Sequence, residues 1–375
     1  MPTPTCPARA RWRSSRDDAA DQATKRVTKP HHPRTTKKGK MTLSVLSPRS
    51  LELNDASVEA ECRPAPVVLH EVPLPVELAR YGDKVRAALA GNPLGEPVVV
   101  LGGISADACP LVRPDGRAGW WPRFVGPGGA VDPALHRIIG LDFAADESGD
   151  FAPSTADQAD VVLAALDALG SERPVAFVGA SYGAMVGLAL AERAPERVAR
   201  LVVISAACAP HPASTAIREL QRRVVCMGLR NGCGEEALTI ARGMGMMTYR
   251  TPQEFAERFE GGIEAAESRS CSAPGDYLRS RGDAFLSVMS PGRFLSLSAS
   301  IDRHRIDPAR IGAPTLLIGV TSDQLVSTAQ METLSRRLGG PAELHFIDSL
   351  YGHDAFLKEA DRMAEIARPF LAPAA

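Results

Sequence analysis

Two hydrophobic rhythms alternate along the chain. One consists of short, unbroken apolar runs at Val98-Val99-Val100-Leu101, Val175-Ala176-Phe177-Val178, within 198–204, and in PTLLIGV at 314–320. Weaker versions stand at Ile138-Ile139-Gly140-Leu141 and in ELHFI at 343–347. An apolar run without polar alternation fits a strand covered on both faces, as in a parallel sheet. The other rhythm is helical. It runs over 155–169 with Gly170 as the expected C-cap, over the Ala- and Leu-rich stretch from Gly183 to about Pro195, over 328–338, and through about residue 370. The alternation predicts an α/β chain with a mostly parallel sheet flanked by helices.

The rhythm fails in three places. Residues 1–40 contain few large apolar residues and cannot form a core. Residues 45–90 mix short apolar runs with prolines and yield no clear element. Residues 212–300 hold helical patterns and Arg and Met clusters but no buried-strand run, which predicts a helical insertion. The expected organisation is a disordered basic tail (1–40), a first part of an α/β core (41–211), a helical lid (212–300) and a second part of the core (301–375).

Composition alters this picture little. The 375 residues are 45% hydrophobic, enough to bury a sizeable core, and the net charge is −1. That near-neutrality hides an asymmetry, because residues 1–40 carry 11 Lys/Arg against 3 Asp/Glu. A basic arm for nucleic acid is one reading, but a tail without a catalytic role is favoured. Met41 offers an alternative start. No nucleic-acid partner is expected. No apolar run reaches the ~18 residues of a membrane span, and no apolar stretch follows the basic N-terminus as in a secretory signal. The seven cysteines include no Cys-x-x-Cys, which favours free thiols in a reducing cytoplasm. His31-His32 lacks partners at metal-ligand spacing, so no metal site is expected.

The chemistry lies in Gly179-Ala180-Ser181-Tyr182-Gly183. A Gly-x-Ser-x-Gly alone is weak evidence. This one stands between a strand run and a helix, where a sharp turn would expose the serine at the C-terminal edge of the sheet, as in the α/β-hydrolase fold. The helix N-terminus would present amides to a developing oxyanion. The partners follow in that fold's order of serine, acid, histidine. Asp323 comes after the run at 314–320, and His353 lies in the loop after the strand-like 343–347. The expected roles are nucleophile for Ser181, general base for His353 and orienting carboxylate for Asp323. The amide of Tyr182 and one from Gly102-Gly103-Ile104-Ser105, with Ile104 favoured, would form the oxyanion hole.

Several longer stretches resemble the homoserine O-acyltransferases of methionine biosynthesis, the MetX-type members of the α/β-hydrolase superfamily. They are GGISADA (102–108), GWW (119–121), VGPGGAVD (125–132), the region from Gly179 to Ala207, IRELQRR (217–223) and YGHDAF (351–356). The resemblance covers roughly 95–370. It implies ping-pong transfer of an acyl group from an acyl-CoA co-substrate to an amino-acid hydroxyl, with no other cofactor and a homodimer formed through the lid. It places the substrate-binding arginine at Arg222 and the substrate-binding aspartate at Asp354, so that a zwitterionic acceptor meets both charges. Arg218, one helical turn before Arg222, stands where acetyl-transferring relatives usually have Asn and succinyl-transferring relatives resemble this chain in having Arg. A guanidinium suits the distal carboxylate of a succinyl group. The expectation is therefore succinyl-CoA with L-homoserine as acceptor. Acetyl-CoA, a serine acceptor and esterase or thioesterase hydrolysis are the enzymatic alternatives. A non-enzymatic binding protein of the same fold would be expected to have lost part of the Ser-His-Asp set.

Two departures bear on the acceptor pocket. The segment after Asp142 is short and acidic and lacks the family's Asn-Leu-Gly-containing loop, and Tyr182 stands where Met or Leu is more usual.

Overall fold

The computed structural model describes residues 67–260 and 272–373. The basic tail at 1–40 lies outside the described residues.

Eight strands form one sheet: β1 (Val68–Pro73), β2 (Lys84–Gly91), β3 (Glu96–Leu101), β4 (His136–Leu141), β5 (Val175–Ala180), β6 (Val198–Ile204), β7 (Thr315–Val320) and β8 (Ala342–Ile347). Their order is β1-β2-β4-β3-β5-β6-β7-β8. From β4 to β8 all neighbours are parallel, while β2 runs antiparallel to both β1 and β4. This is the α/β-hydrolase architecture. The β1–β2 hairpin lies in the Pro-interrupted region where no element was legible. β1 is the outer strand and mostly exposed, and β2 begins with the charged Lys84 and Arg86 before its short, Ala-rich apolar run.

The central runs are apolar throughout because successive side chains enter two different cores. Val99, Leu101, Phe177, Leu201, Val203 and Leu317 face one side. That side is covered by α1 (Thr155–Ala168) and α2 (Tyr182–Arg193). Val98, Val100, Val178, Val202, Ile204 and Ile318 face the other, against Trp121, Phe124 and α10 (Ala360–Leu371). α1 begins with a reciprocal capping box between Ser154 and Asp157 and ends at Gly170, whose φ of 63° suits a residue without Cβ.

Between β6 and β7 stand, among the described residues, α3 (Pro212–Arg230), α4 (Gly234–Tyr249), α5 (Pro252–Arg258), α6 (Ala273–Phe285) and α7 (Pro291–Asp302). α3 packs on α4 and α7, and α4 on α6. After β7 come α8 (Thr328–Arg337), β8 and the short α9 (Ala355–Lys358) leading into α10.

Candidate active site

Ser181 occupies the turn between β5 and α2 with φ 55° and ψ −120°. A side chain in that region stores on the order of 1–3 kcal/mol of strain, which the surroundings must hold. They do so by close approach on both sides. A Cβ at Gly179 would run into the Ala184 backbone, and one at Gly183 into the Leu101 carbonyl. The Ser181 amide donates to Ile204 O at 2.9 Å and the Gly183 amide to Gly102 O at 2.8 Å. The second bond draws the loop after β3 against the turn.

Loops at the C-terminal ends of β7 and β8 supply the partners. His353 Nε2 lies 2.8 Å from Ser181 Oγ, and its Nδ1 lies 2.7 Å from Asp323 Oδ2. Asp323 uses its other oxygen to accept from the amides of Leu325 (2.8 Å) and Val326 (3.1 Å), which fixes the carboxylate. Asp323 and His353 are both buried. Burial opposes protonation of the imidazole, but the charge and hydrogen bond of Asp323, aided by Asp354, outweigh it. The His353 pKa therefore stands above the ordinary histidine value, with Arg218 pushing the other way. The carboxylate accepts a hydrogen bond from Nδ1–H, so Nε2 is left to accept the serine proton. The loop itself is anchored from below, where Trp121 stacks on Phe124 and donates its Nε1–H to Phe356 O at 2.7 Å.

Ser181 and His353 open into a cleft also lined by Gly103, Ile104, Tyr182, Arg218, Arg242, Tyr249 and Asp354. Among the described residues neither the Tyr182 nor the Ile104 amide has a protein acceptor, so both are available to an oxyanion beside the serine. The Tyr182 side chain is buried, with its ring edge-on to Phe143 (centroids 4.8 Å) and its hydroxyl 2.5 Å from Ser300 Oγ on α7. Burial raises its pKa, so the phenol stays neutral. The acidic segment after Asp142 packs on α7, with Glu147 accepting from Ser290 Oγ at 2.6 Å and Arg293 donating to Phe143 O at 2.9 Å. It does not line the cleft.

The insertion brings the expected charged residues to one side, with partners that the sequence did not disclose. Arg218 donates through Nε (2.8 Å) and Nη2 (2.5 Å) to Asp302 Oδ1. Arg222 donates to Asp302 Oδ2 (2.7 Å), Ser298 O (3.0 Å) and Ser298 Oγ (3.1 Å). The two arginines thus share one carboxylate at the end of α7. Arg218 faces the cleft, whereas Arg222 does not contribute to its lining. Asp354 faces the cleft and accepts from Arg250 Nε at 2.8 Å. Thr251 Oγ1 donates to Leu350 O at 2.6 Å and Gln324 Nε2 to Arg250 O at 3.1 Å, so the α4–α5 junction is pinned to both loops that carry His353 and Asp323. Asp302, Arg242 and Tyr249 were not anticipated. Each sits on a helix whose pattern shows only amphipathicity, and Asp302 lies 80 residues or more from its arginines in the chain. Among the described residues no group of His, Cys, Asp and Glu is arranged to hold a metal ion.

The arrangement can activate a serine hydroxyl, stabilise a tetrahedral oxyanion and bind charged groups nearby. Comparison with known proteins places it more closely. The family model for the alpha/beta hydrolase fold matches residues 96–360. The homoserine O-succinyltransferase of Xanthomonas campestris pv. campestris is 42% identical over 308 residues, covering 80% of this chain and 83% of that protein. The homoserine O-acetyltransferase of Thermus thermophilus is 32% identical over 293 residues, covering 70% and 74%. In fold, the crystal structure of homoserine O-acetyltransferase from Bacillus anthracis superposes with a TM-score of 0.71 at 16% identity, covering 82% of this chain and 98% of that one. With the elbow, its partner loops and the helical insertion all in place, the chain belongs to the MetX-type homoserine O-acyltransferase family of the α/β-hydrolase superfamily.

Proposed function

We propose that this protein transfers a succinyl group from succinyl-CoA to the hydroxyl of L-homoserine by a ping-pong mechanism, as a step of methionine biosynthesis in the cytoplasm. The observation that carries this reading is the cationic Arg218 on the wall of the cleft that holds Ser181 and His353. An acetyl group offers that cation nothing, whereas a succinyl group offers it a carboxylate. The 42% identity to a homoserine O-succinyltransferase supports the same donor.

In the first half-reaction His353 Nε2 takes the Ser181 proton as Oγ attacks the thioester carbonyl. The tetrahedral oxyanion is held by the amides of Tyr182 and Ile104, each such donor being worth about 100–1000-fold in turnover. Collapse breaks the C–S bond, and His353 returns the proton to the departing CoA thiolate. In the second half-reaction His353 takes the proton of the homoserine hydroxyl, whose oxygen attacks the acyl-Ser181 ester. Collapse then releases O-succinylhomoserine and reprotonates Ser181. Asp323 keeps the imidazole tautomer and stabilises the imidazolium in both halves. Asp354 holds the acceptor ammonium, and Arg222 contributes the positive charge for its carboxylate. The chemistry needs acyl-CoA as co-substrate and no further cofactor.

A homodimer through the insertion accompanies this proposal. Leu220 and Met227 on α3, and Ile240 and Met247 on α4, are exposed apolar side chains spaced seven residues apart, so each helix carries a solvent-facing apolar stripe. Among the described residues no helix is long and apolar enough to cross a membrane.

The test is free-thiol release by the purified full chain with succinyl-CoA or acetyl-CoA, each with L-homoserine, L-serine or water. Release that is fast only with succinyl-CoA and homoserine is expected. Preference for acetyl-CoA would remove the role given to Arg218. Preference for serine would change the acceptor, and release indifferent to the amino acid would make the protein a hydrolase.

A further inference from the structure

Three charged side chains from the insertion and the His353 loop face the cleft: Arg218, Asp354 and Arg242. Their electrostatic situations differ. Arg218 is answered by Asp302, which also neutralises Arg222. Asp354 is answered by Arg250. Among the described residues Arg242 has neither a hydrogen bond nor an ion pair, and its Nε is shielded from solvent without an acceptor. A guanidinium is held in such a place only by something other than charge pairing.

What holds it is aromatic. The Arg242 guanidinium carbon lies 4.6 Å from the ring centroid of Phe285 and 5.2 Å from that of Tyr249. The Tyr249 ring in turn lies 6.0 Å from the His353 ring. Arg242 and Tyr249 are two turns apart on α4. Gly245 lies between them on the same helix, and a Cβ there would approach the Tyr249 ring at 3.5 Å and Gln221 Nε2 at 3.0 Å. Contact with ring faces leaves the in-plane N–H edge of a guanidinium unused, and that edge matches the two oxygens of a carboxylate.

We infer that Arg242 is a substrate-carboxylate-binding residue of this cleft, in addition to the arginines that share Asp302. The inference deepens the acyltransferase reading and rests on it for the identity of the carboxylate. Two sources fit the chemistry: the distal carboxylate of a succinyl donor and the α-carboxylate of the amino-acid acceptor.

The experiment is calorimetric titration of the full chain with two probes, succinate for the donor tail and L-2-aminobutyrate for an acceptor without a hydroxyl. It compares wild type, Arg242→Gln and Arg242→Lys, alongside the KM of succinyl-CoA, acetyl-CoA and homoserine. At least one probe is expected to bind Arg242→Gln ten-fold or more weakly, with Arg242→Lys intermediate because charge is kept and the fork is lost. The corresponding KM should rise more than kcat falls. Loss confined to succinate assigns the donor tail, and loss confined to L-2-aminobutyrate assigns the acceptor. Should Arg242→Gln not fold, the Lys variant alone still reads the effect. Unchanged binding of the probes that wild type binds overturns the inference, as does failure of both probes to bind the wild-type protein. Absence of thiol release by wild type together with Arg242-dependent probe binding would defeat the acyltransferase reading and leave the carboxylate site standing.

Discussion

The sheet edge and the helical insertion treat charge in opposite ways. At the sheet edge, Asp323 is fixed by two backbone amides and aimed at one atom of His353, which is aimed at Ser181. In the insertion, Asp302 divides itself between Arg218 and Arg222, and of the two only Arg218 faces the cleft. The first arrangement is fully ordered before substrate arrives, which suits a reaction that proceeds through a fixed oxyanion geometry. The second can exchange an internal anion for an external one, which suits selection among substrates. Breaking the first should therefore stop chemistry with every substrate, and breaking the second should alter which substrate is used.

Asp323→Asn is the largest test. Loss of the orienting carboxylate should lower kcat about 10,000-fold, the cost typical of a wrong imidazole tautomer. It should also move the acid limb of the pH profile. His353 acts as a base only when neutral, and its pKa is raised, so wild-type kcat/KM should fall as pH drops through a value above the ordinary ~6.5. Removing Asp323 takes away the charge that raises it, and the residual activity should extend to lower pH. Initial rates between about pH 5 and 9 read both effects; a loss under about ten-fold, or an unmoved limb, would sink the assignment.

A second histidine sharpens the contrast. His304 is buried where α7 gives way to the loop toward β7, with Nε2 donating to Ala207 O at 3.0 Å and Nδ1 accepting from Thr155 Oγ1 at 2.8 Å. Burial lowers its pKa to about 4. The folded protein therefore holds it neutral, and its contribution is present above the unfolded pKa of ~6.5 and lost as pH falls toward 4. By pH 5 the loss is on the order of 2 kcal/mol. His353 has the opposite sign: its contribution is full below ~6.5 and is lost as pH rises through its raised folded value. Denaturant unfolding of His304→Gln should show a flatter decline from pH 7 to 5 than wild type. Parallel declines would mean that His304 titrates normally.

The two regions also differ in how far they can be read from the chain alone. Ser181 and Asp323 each follow a two-sided apolar run, and His353 follows the weaker, largely exposed outer strand β8, so the order of strand ends and reactive residues made their meeting legible. β1 and β2 were not, because β1 is a mostly exposed outer strand and the small alanines of β2, flanked by charges and prolines, give only a weak strand pattern. In the insertion, the i, i+4 spacing of Arg218 and Arg222 placed both on one face. Their shared partner Asp302 and the stacked Arg242 depend on how α3, α4 and α7 cross, which no local pattern encodes.

Arg218→Asn is a smaller and more selective test of the insertion. A hydrogen bond to a charged group is worth about 1.5–3 kcal/mol, so kcat/KM with succinyl-CoA should fall roughly 10–100-fold. Activity with acetyl-CoA should change by less than about three-fold, since the acetyl group makes no contact that depends on the guanidinium. Equal losses with both donors would show that Arg218 supports the cleft and does not read the acyl tail.

The smallest expected effect lies where the two regions touch. The Tyr182 hydroxyl leaves the nucleophile turn and reaches Ser300 on α7, the helix that also carries Ser298 and Asp302. Tyr182→Phe keeps the amide that faces the oxyanion and removes only this bridge, leaving a buried Ser300 hydroxyl short of a partner. The cost should be about 1–2 kcal/mol in denaturant unfolding. Any kinetic change should appear in the KM of charged substrates, through the shifted Asp302–arginine group, and not in kcat toward a neutral ester such as p-nitrophenyl acetate. A fall of ten-fold or more in that neutral-ester kcat would place the Tyr182 side chain within the nucleophile's own support. The division between a fixed sheet edge and an adjustable insertion would then have to be redrawn through α7.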